Sequence, residues 1–288
     1  MYTRMLVATG RRPWSDAALP YATALAKHMG AELRLLTVRS ALMTRGRVDG
    51  KMRLDPPTES LVCPGQTRFG HAMAHATDVG ILRPTLSSWD DVPGAITQIA
   101  AAEDCDLIVM GGRPLTGPRR WLLGDPLNAM AAKAQQPILV VKQPPPPKVG
   151  VPLWRRILVA TSDSPWSDAA VEYGLTLAWL QELELSLLHV DRAGSEAGAD
   201  WDATSGKNLL AQAEARAAAL GLSYDGVLAT GDTVNAIVKT ARRKQCDVIV
   251  LGSHSTTGWT RLITGGIANA VAAKAALPVL LVKRFMRL

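Results

Sequence analysis

The sequence of 288 residues lacks the features that mark secreted or membrane-spanning proteins. Its three cysteines are too few for a disulfide framework in a chain of this length. No apolar run approaches the roughly 20 residues that span a bilayer. The apolar stretch at residues 1–9 is too short for the core of a signal peptide. These absences predict a cytoplasmic protein with no membrane partner.

The residue sets of common catalytic chemistry are missing as well. There is no Ser-His-Asp order in a matching fold context, no pair of acids, no phosphate-loop lysine and no Cys-x-x-Cys. His71 and His75 are four apart near Cys63, which suits zinc, but no fourth ligand is identifiable and a polar helix face is favoured. His189 ends an apolar strand with no nucleophile beside it, which favours packing over catalysis. We therefore predict no turnover reaction and no metal site.

The charge distribution gives no nucleic-acid signature. The net charge is +7, and most of the excess lies in residues 1–142. Much of that excess falls in one loop, at residues 39–65, where a solvated basic surface is the favoured interpretation. No aromatic residues interleave with these charges, which argues further against binding of single strands. We expect no nucleic-acid partner.

The chain consists of two repeated halves. Residues 105–142 align with residues 246–283 at an offset of 141 without a gap, and PWSDAA recurs at an offset of 152. The difference between the offsets places 11 extra residues in the first half, in its 39–65 loop. Residues 143–154 include four consecutive prolines, which favour an extended, semi-rigid spacer. We predict a first domain at 1–142, a linker at 143–154 and a second domain at 155–288.

Each half alternates short apolar strands with helical stretches. At the end of the second half, 248–251 is typical of a buried strand, 252–266 of a glycine-rich loop and 267–276 of a helix. Strand, helix and parallel strand repeat in this way through both halves, which predicts an α/β fold with doubly wound parallel sheets. In such sheets ligands bind beyond the carboxyl ends of the strands, here after strands one and four. In the first half we also predict a helix over 67–79 and a strand over 81–88.

Several segments together resemble the universal stress protein family in its tandem two-domain form. They are ILVATSDSPWSDAAVEYGLTLA at 157–178, LSLLHV at 185–190, GDTVNAIVKTA at 231–241 and the whole of 246–283. The resemblance covers nearly the whole chain. It implies two flavodoxin-like, Rossmann-like sheets of five strands in the order 3-2-1-4-5, which pair through their last strands. It therefore implies an intramolecular pseudo-dimer, with a homodimer as a further possibility.

Some members of that family bind ATP, and the second half keeps part of their pattern. Those members follow strand four with Gly-x-x-Gly, nine residues, then Gly and Ser or Thr, and they place an acid after strand one. Here Ser255 and Gly266 replace the second glycine and the hydroxyl residue, and Ser162 replaces the acid. The residues that the resemblance implies for a nucleotide site are Thr161, Ser162, Asp163, Val190, Gly252, Ser253, His254, Ser255, Gly265 and Gly266.

The first half departs further from the ATP-binding pattern. Gly111 and Gly124 remain, but Pro114, Asp125 and Gly10 replace the second glycine, the hydroxyl residue and the acid. Pro114 has no N–H to offer a phosphate. Asp125 precedes a proline and would cap the helix that begins there, and its charge would repel a phosphate. We predict that this site is closed to ATP.

The sequence therefore predicts a non-catalytic binding or regulatory module of the stress response, with a degenerate nucleotide site, no assured cofactor and an unidentified protein partner. Two alternatives stay open. One is an ATP- or AMP-binding sensor that uses the second half, with slow ATP hydrolysis not excluded. The other is a metal- or anion-binding protein that acts through the first half, where arginines flank the two loops at Arg11, Arg12 and Arg113.

Overall fold

The computed structural model describes residues 2–9, 18–37, 79–82, 92–112, 126–142, 152–191, 203–253 and 266–283. The strands in these ranges are β1 (Arg4–Thr9), β2 (Glu32–Thr37), β3 (Val79–Leu82), β4 (Leu107–Gly111), β5 (Ile138–Val141), β6 (Arg156–Thr161), β7 (Glu184–Asp191), β8 (Tyr224–Thr230), β9 (Val248–Gly252) and β10 (Val279–Val282). The helices are α1 (Ala18–Met29), α2 (Val92–Ala102), α3 (Pro126–Lys133), α4 (Pro165–Gln181), α5 (Ala203–Ala219), α6 (Thr233–Arg243) and α7 (Ile267–Lys274).

The ten described strands form one continuous sheet in the order β3-β2-β1-β4-β5-β10-β9-β6-β7-β8. All neighbours are parallel except β5 and β10, which pair antiparallel with Leu139 opposite Leu280. Each half thus has the order 3-2-1-4-5 and the doubly wound topology that the sequence predicted. The two halves run in opposite directions, so the carboxyl edge of one lies at the amino edge of the other.

Helices cover both faces of the sheet, because parallel strands that are buried on both sides need apolar partners on each. Along β1, Met5 and Val7 pack in the core under α1, α4 and α5, whereas Leu6 and Ala8 pack in the core under α2, α3, α6 and α7. The alternation follows from the two-residue period of a strand. In the part of the chain described here, no helix is both long and apolar enough to cross a membrane.

Two buried hydrogen bonds join the halves on the face of α1 and α4. The Trp154 indole Nε1–H donates to the Tyr21 hydroxyl over 2.6 Å, and the Tyr173 hydroxyl donates to the Tyr2 hydroxyl over 2.6 Å. The two contacts are equivalent under the repeat, because 152 residues separate Tyr2 from Trp154 and Tyr21 from Tyr173. Burial raises the pKa of all three tyrosines, so these hydroxyls stay neutral.

Two lysines join the halves on the opposite face. The Lys283 ammonium, beyond the end of β10, donates to the Ala132 carbonyl of α3 over 3.1 Å. Lys142, beyond the end of β5, donates in the same way to the Ala273 carbonyl of α7. Both carbonyls lie in the last turn of a helix, where a cation is favoured by the helix dipole. Each half thus places a lysine at the end of a helix of the other.

Replacing Tyr21 with phenylalanine is expected to destabilise the chain by about 1–3 kcal/mol, because the buried Trp154 N–H would lose its acceptor. Tyr173→Phe, at the equivalent contact, removes the partner of the Tyr2 hydroxyl and should have a comparable effect. Urea unfolding of both variants measures the loss. If neither variant differs from the wild-type chain, these bonds do not hold the halves together.

The predicted strand at 248–251 and helix at 267–276 match β9 and α7 to within two residues, whereas the prediction differs from the structure around β3. The predicted helix over 67–79 is wrong at its last residue, because Val79 begins β3. The strand predicted over 81–88 overlaps β3 only at the last two residues of β3, 81 and 82. The parallel pairing of Leu33 with Val79 sets the start of the strand. Residues 67–78 and 83–88 lie outside the described residues, as does most of the linker, so the domain boundaries stay a prediction.

Candidate functional site

The predicted nucleotide residues of the second half converge at one edge of the sheet. Thr161 ends β6, Val190 lies near the end of β7, and Gly252 ends β9. Ser162, Asp163 and Ser253 follow directly on these strands. Gly266 lies at the start of α7. The remaining predicted residues, His254, Ser255 and Gly265, lie outside the described residues.

The start of α7 has no side-chain cap. Gly266 is its N-cap residue, with φ −52°, and makes no side-chain capping hydrogen bond. The Gly266 carbonyl accepts from the N–H groups of Asn269 (2.9 Å) and Ala270 (3.1 Å). Among the residues that the structure describes, no atom lies within 4 Å of a Cβ built on Gly266. The first N–H groups of a helix lack partners within it, so this end attracts anions.

The end of β9 packs closely against α4, in addition to lying at the carboxyl edge of the sheet. A Cβ on Gly252 would lie 2.2 Å from the Trp166 carbonyl oxygen and 2.9 Å from the Ser167 nitrogen. Glycine is therefore required here for β9 to approach the first turn of α4. The next residue, Ser253, donates its N–H to the Val282 carbonyl of β10 over 2.7 Å. That N–H completes the sheet and is not free for a phosphate.

Serine side chains organise the loop between β6 and α4. Ser164 is the N-cap of α4, and its hydroxyl accepts from the Ser167 N–H over 3.1 Å, with a proline at the next position. The Ser167 hydroxyl in turn accepts from the Ser162 N–H over 2.6 Å. The hydroxyl groups of Ser162 and Ser164 lie 3.1 Å apart. At the place where the ATP-binding pattern has an acid, this loop has three serines that hydrogen-bond to one another. Asp163, the next residue after Ser162, is exposed.

A buried polar chain that the sequence did not reveal crosses from β6 to β7. The Thr161 hydroxyl lies 3.4 Å from His189 Nδ1, and His189 Nε2 lies 3.3 Å from Asp191 Oδ1. The His189 side chain is only 5% exposed. The His189 tautomer decides whether Nδ1 donates to Thr161 or accepts from it, and Asp191 Oδ1 has no hydrogen-bond partner among the described residues.

The N-terminal turn of α5 lies directly against this chain. A Cβ on Gly206 would come within 2.3 Å of Asp191 Oδ1 and 2.8 Å of the His189 ring. The backbone of Asp191 is held from the other side, because its carbonyl accepts from the Gly231 N–H over 2.9 Å. The sequence held a signal for this contact: His189 and Asp191 are two apart on a strand and so share a face.

The polar chain belongs to the second half only. At the offset of 152, Thr9 and Thr37 occupy the positions of Thr161 and His189, and Arg39 occupies that of Asp191. In the first half the Thr9 hydroxyl donates instead to the Leu36 carbonyl over 3.3 Å. Gly111, which the first half retains from the ATP-binding pattern, ends β4. The replacements Gly10, Pro114 and Asp125 lie outside the described residues.

The arrangement does not resemble a hydrolytic triad in function. Thr161 is 8% exposed and lies within a strand, so its hydroxyl cannot reach a substrate carbonyl. The two described cysteines, Cys105 and Cys246, are buried, and burial raises the pKa of each thiol to about 11. The described ranges contain no group of three side chains that could hold a metal ion. His71, His75 and Cys63 lie outside those ranges.

Comparison with known proteins identifies the family. The universal stress protein family profile matches residues 1–142 and again 153–283. A universal stress protein of Methanocaldococcus jannaschii is 28% identical over 145 residues, which cover 47% of this chain and 85% of that protein. The universal stress protein YxiE of Bacillus subtilis is 26% identical over 148 residues, which cover 46% of this chain and all of that protein.

A solved structure extends the similarity to the whole chain. The crystal structure of a universal stress protein from Archaeoglobus fulgidus aligns with a TM-score of 0.73 at 22% identity, over 98% of this chain and 96% of that one. At that identity the match shows the shared fold. With the two profile matches, it follows that the chain belongs to the universal stress protein family and carries two copies of the family domain in tandem.

Proposed function

We propose that this protein is a non-catalytic regulatory module of the stress response that binds an adenine nucleotide, ATP or AMP, through its second half. The observation that carries the proposal is the open N-terminus of α7 at Gly266. Backbone N–H groups and the helix dipole favour a phosphate there, and the cap residue brings no carboxylate. In the first half, Asp125 stands at the position equivalent to Gly266 and precedes Pro126, the first residue of α3.

The topology supplies a place for the rest of the nucleotide. β6 lies between β7 and β9, and the chain leaves β6 towards α4 on one face and β9 towards α7 on the other. The strand order reverses at this point, and such switch points open a crevice for ligands. With its phosphates at α7, a nucleotide would extend its nucleoside over the end of β6 towards Val190.

The site offers fewer donors than the full ATP-binding pattern. Gly266 has no hydroxyl and Ser162 has no carboxylate, and the N–H groups of Ser162 and Ser253 already donate within the protein. Each missing hydrogen bond costs about 1 kcal/mol of binding free energy. We therefore expect weaker binding than in family members that have the full pattern. Weak binding suits a sensor whose occupancy follows the nucleotide concentration.

The proposed pseudo-dimer uses the last strands of both halves. Since β5 and β10 pair with each other inside the chain, neither presents an open edge to a second copy. A homodimer of this protein therefore has to use another surface. The antiparallel joint also leaves the candidate site of the second half beside the amino edge of the first half.

Mass spectrometry of small molecules released from the purified, denatured protein tests the function directly. We expect ATP or AMP as the released compound, and no ADP formed when the folded protein is incubated with ATP. Titration calorimetry with added ATP covers the case in which the nucleotide is lost during purification. If neither experiment shows a nucleotide, or if ATP is turned over, the proposal is wrong.

A further inference from the structure

The carboxylate of Asp191 ends β7 at the nucleoside side of the crevice. β7 is two strands away from β9, or about 10 Å at the usual spacing of strands. An extended nucleotide with its phosphates at α7 covers such a span before its base begins. Asp191 faces α5, on the same side of the sheet as α4, whereas α7 lies on the other side. Phosphate and carboxylate are thus kept apart.

This carboxylate is held in one orientation. Oδ1 is buried, lies 3.3 Å from His189 Nε2 without a hydrogen-bond partner among the described residues, and is covered by the backbone of Gly206. The side chain as a whole is 16% exposed, so the accessible part falls on its other atoms. His189 is fixed in turn by Thr161. A carboxylate whose inner oxygen is packed between His189 and the backbone of Gly206 can present the other oxygen to a ligand without reorganising.

The second half, in which glycine is the N-cap of α7, has this carboxylate, and the first half does not. The first half has Arg39 at the position of Asp191. In the second half the acid that the ATP-binding pattern places after strand one is replaced by Ser162. Asp191 lies on the neighbouring strand, beyond the paired residues Thr161 and His189. It supplies an anchored acid at the same edge.

A carboxylate only accepts hydrogen bonds, so its ligand group must be a donor. Phosphate oxygens are excluded, and the vicinal hydroxyls of a ribose are the nearest donors to the phosphate chain. In dinucleotide-binding sheets an acid at this place, the end of the second strand, binds a ribose hydroxyl. On the basis of the proposed function, we infer that Asp191 binds the ribose hydroxyls and makes the second half selective for ribonucleotides over deoxyribonucleotides. His189 is then a positioning residue.

Titration calorimetry of the full chain at fixed ionic strength tests the inference. The ligands are ATP, 2′-deoxy-ATP, 3′-deoxy-ATP and purine riboside triphosphate, which lacks the amino group of adenine. We expect the wild-type chain to bind at least one deoxy analogue roughly 10-fold more weakly than ATP. In Asp191→Ala the ratio of the affinity for ATP to the affinity for that deoxy analogue should fall to about 1, since the acceptor of the ribose hydroxyl is gone.

Asp168→Ala is the matched control. Asp168 lies in the first turn of α4, carries the same charge, is exposed and is not among the predicted nucleotide residues. This variant should keep the wild-type ratio, which separates a hydrogen bond to ribose from a general change in charge. If Asp191→Ala fails to fold by circular dichroism, Asp191→Asn, which keeps an acceptor for His189, should still lower the ratio. The ratio of affinities measured on the wild-type chain tests the selectivity for ribonucleotides without any variant.

The possible results separate this inference from the function on which it rests. Equal binding of ATP and both deoxy analogues by the wild-type chain would overturn the role of Asp191 and leave nucleotide binding intact. A ratio that Asp191→Ala keeps would overturn the role of Asp191 and assign the ribose to another residue of the site. If Asp191→Ala abolishes discrimination against purine riboside triphosphate instead, the carboxylate binds the base. No binding of ATP at all would overturn the proposed function and this inference together.

Discussion

Replacing Gly252 with alanine is expected to destabilise the second half by about 3 kcal/mol. The added methyl group would lie 2.2 Å from the Trp166 carbonyl oxygen and 2.4 Å from its carbonyl carbon. These are backbone atoms in the first turn of α4, which cannot rotate away as a flexible side chain can. β9 and α4 would have to separate, and both contribute to the buried core of this half.

Gly266→Ala is the matched control for that substitution. It adds the same methyl group at the same edge of the sheet, where no described atom lies within 4 Å and φ is −52°. We expect a change of less than about 1 kcal/mol, since alanine is only a poorer N-cap than glycine. Urea unfolding followed by circular dichroism compares the two variants. Equal stabilities would show that Gly252 is retained for its ligand and not for packing.

Gly266→Asp is expected to weaken ATP binding at least 100-fold. An aspartate at this N-cap would accept hydrogen bonds from the first N–H groups of α7, which are the proposed phosphate donors. Its charge would also repel a phosphate by about 4 kcal/mol at 4 Å near a protein surface. The change gives the second half the residue that the first half has at the equivalent position, where Asp125 precedes Pro126.

The fold should tolerate Gly266→Asp, because an aspartate cap stabilises a helix relative to alanine by about 1 kcal/mol. Loss of binding with unchanged or raised stability therefore separates the site from the scaffold. Gly266→Ala should retain most of the affinity, and Gly266→Ser together with Ser255→Gly should increase it. Titration calorimetry of these variants gives the comparison. An affinity for ATP that is the same in Gly266→Asp and in the wild-type chain would place any nucleotide elsewhere.

The fold was predictable because short local sequence patterns mark its strands and helices, and because the same patterns occur in both halves. Short apolar strands such as 248–251 and glycine stops such as Gly30 set the element order. Because the chain is duplicated, each assignment in one half can be checked against the equivalent segment of the other. The order of the strands came with the resemblance to the family, and the sheet confirms it in both halves. The prediction failed around β3, where Val79 joins the sheet through a pairing with β2 that the local pattern does not encode.

The candidate site was predictable only in part, because its contacts depend on register. The sequence assigned His189 to packing and left Asp191 out. Their contact with Thr161 follows from the pairing of β6 with β7, which brings Thr161 opposite His189. Gly252 was assigned to the ligand, whereas its close approach to Trp166 is a tertiary contact. The bond between Trp154 and Tyr21 likewise needs both halves in place.

The central claim is that the two halves share one fold but only the second is open to a nucleotide. Native mass spectrometry of the full chain at saturating ATP tests it most directly, because it counts bound ligands on intact molecules. We predict one ATP per chain, and none on the Gly266→Asp variant. A second ATP bound with comparable affinity, or one ATP that remains bound to Gly266→Asp, would contradict the account.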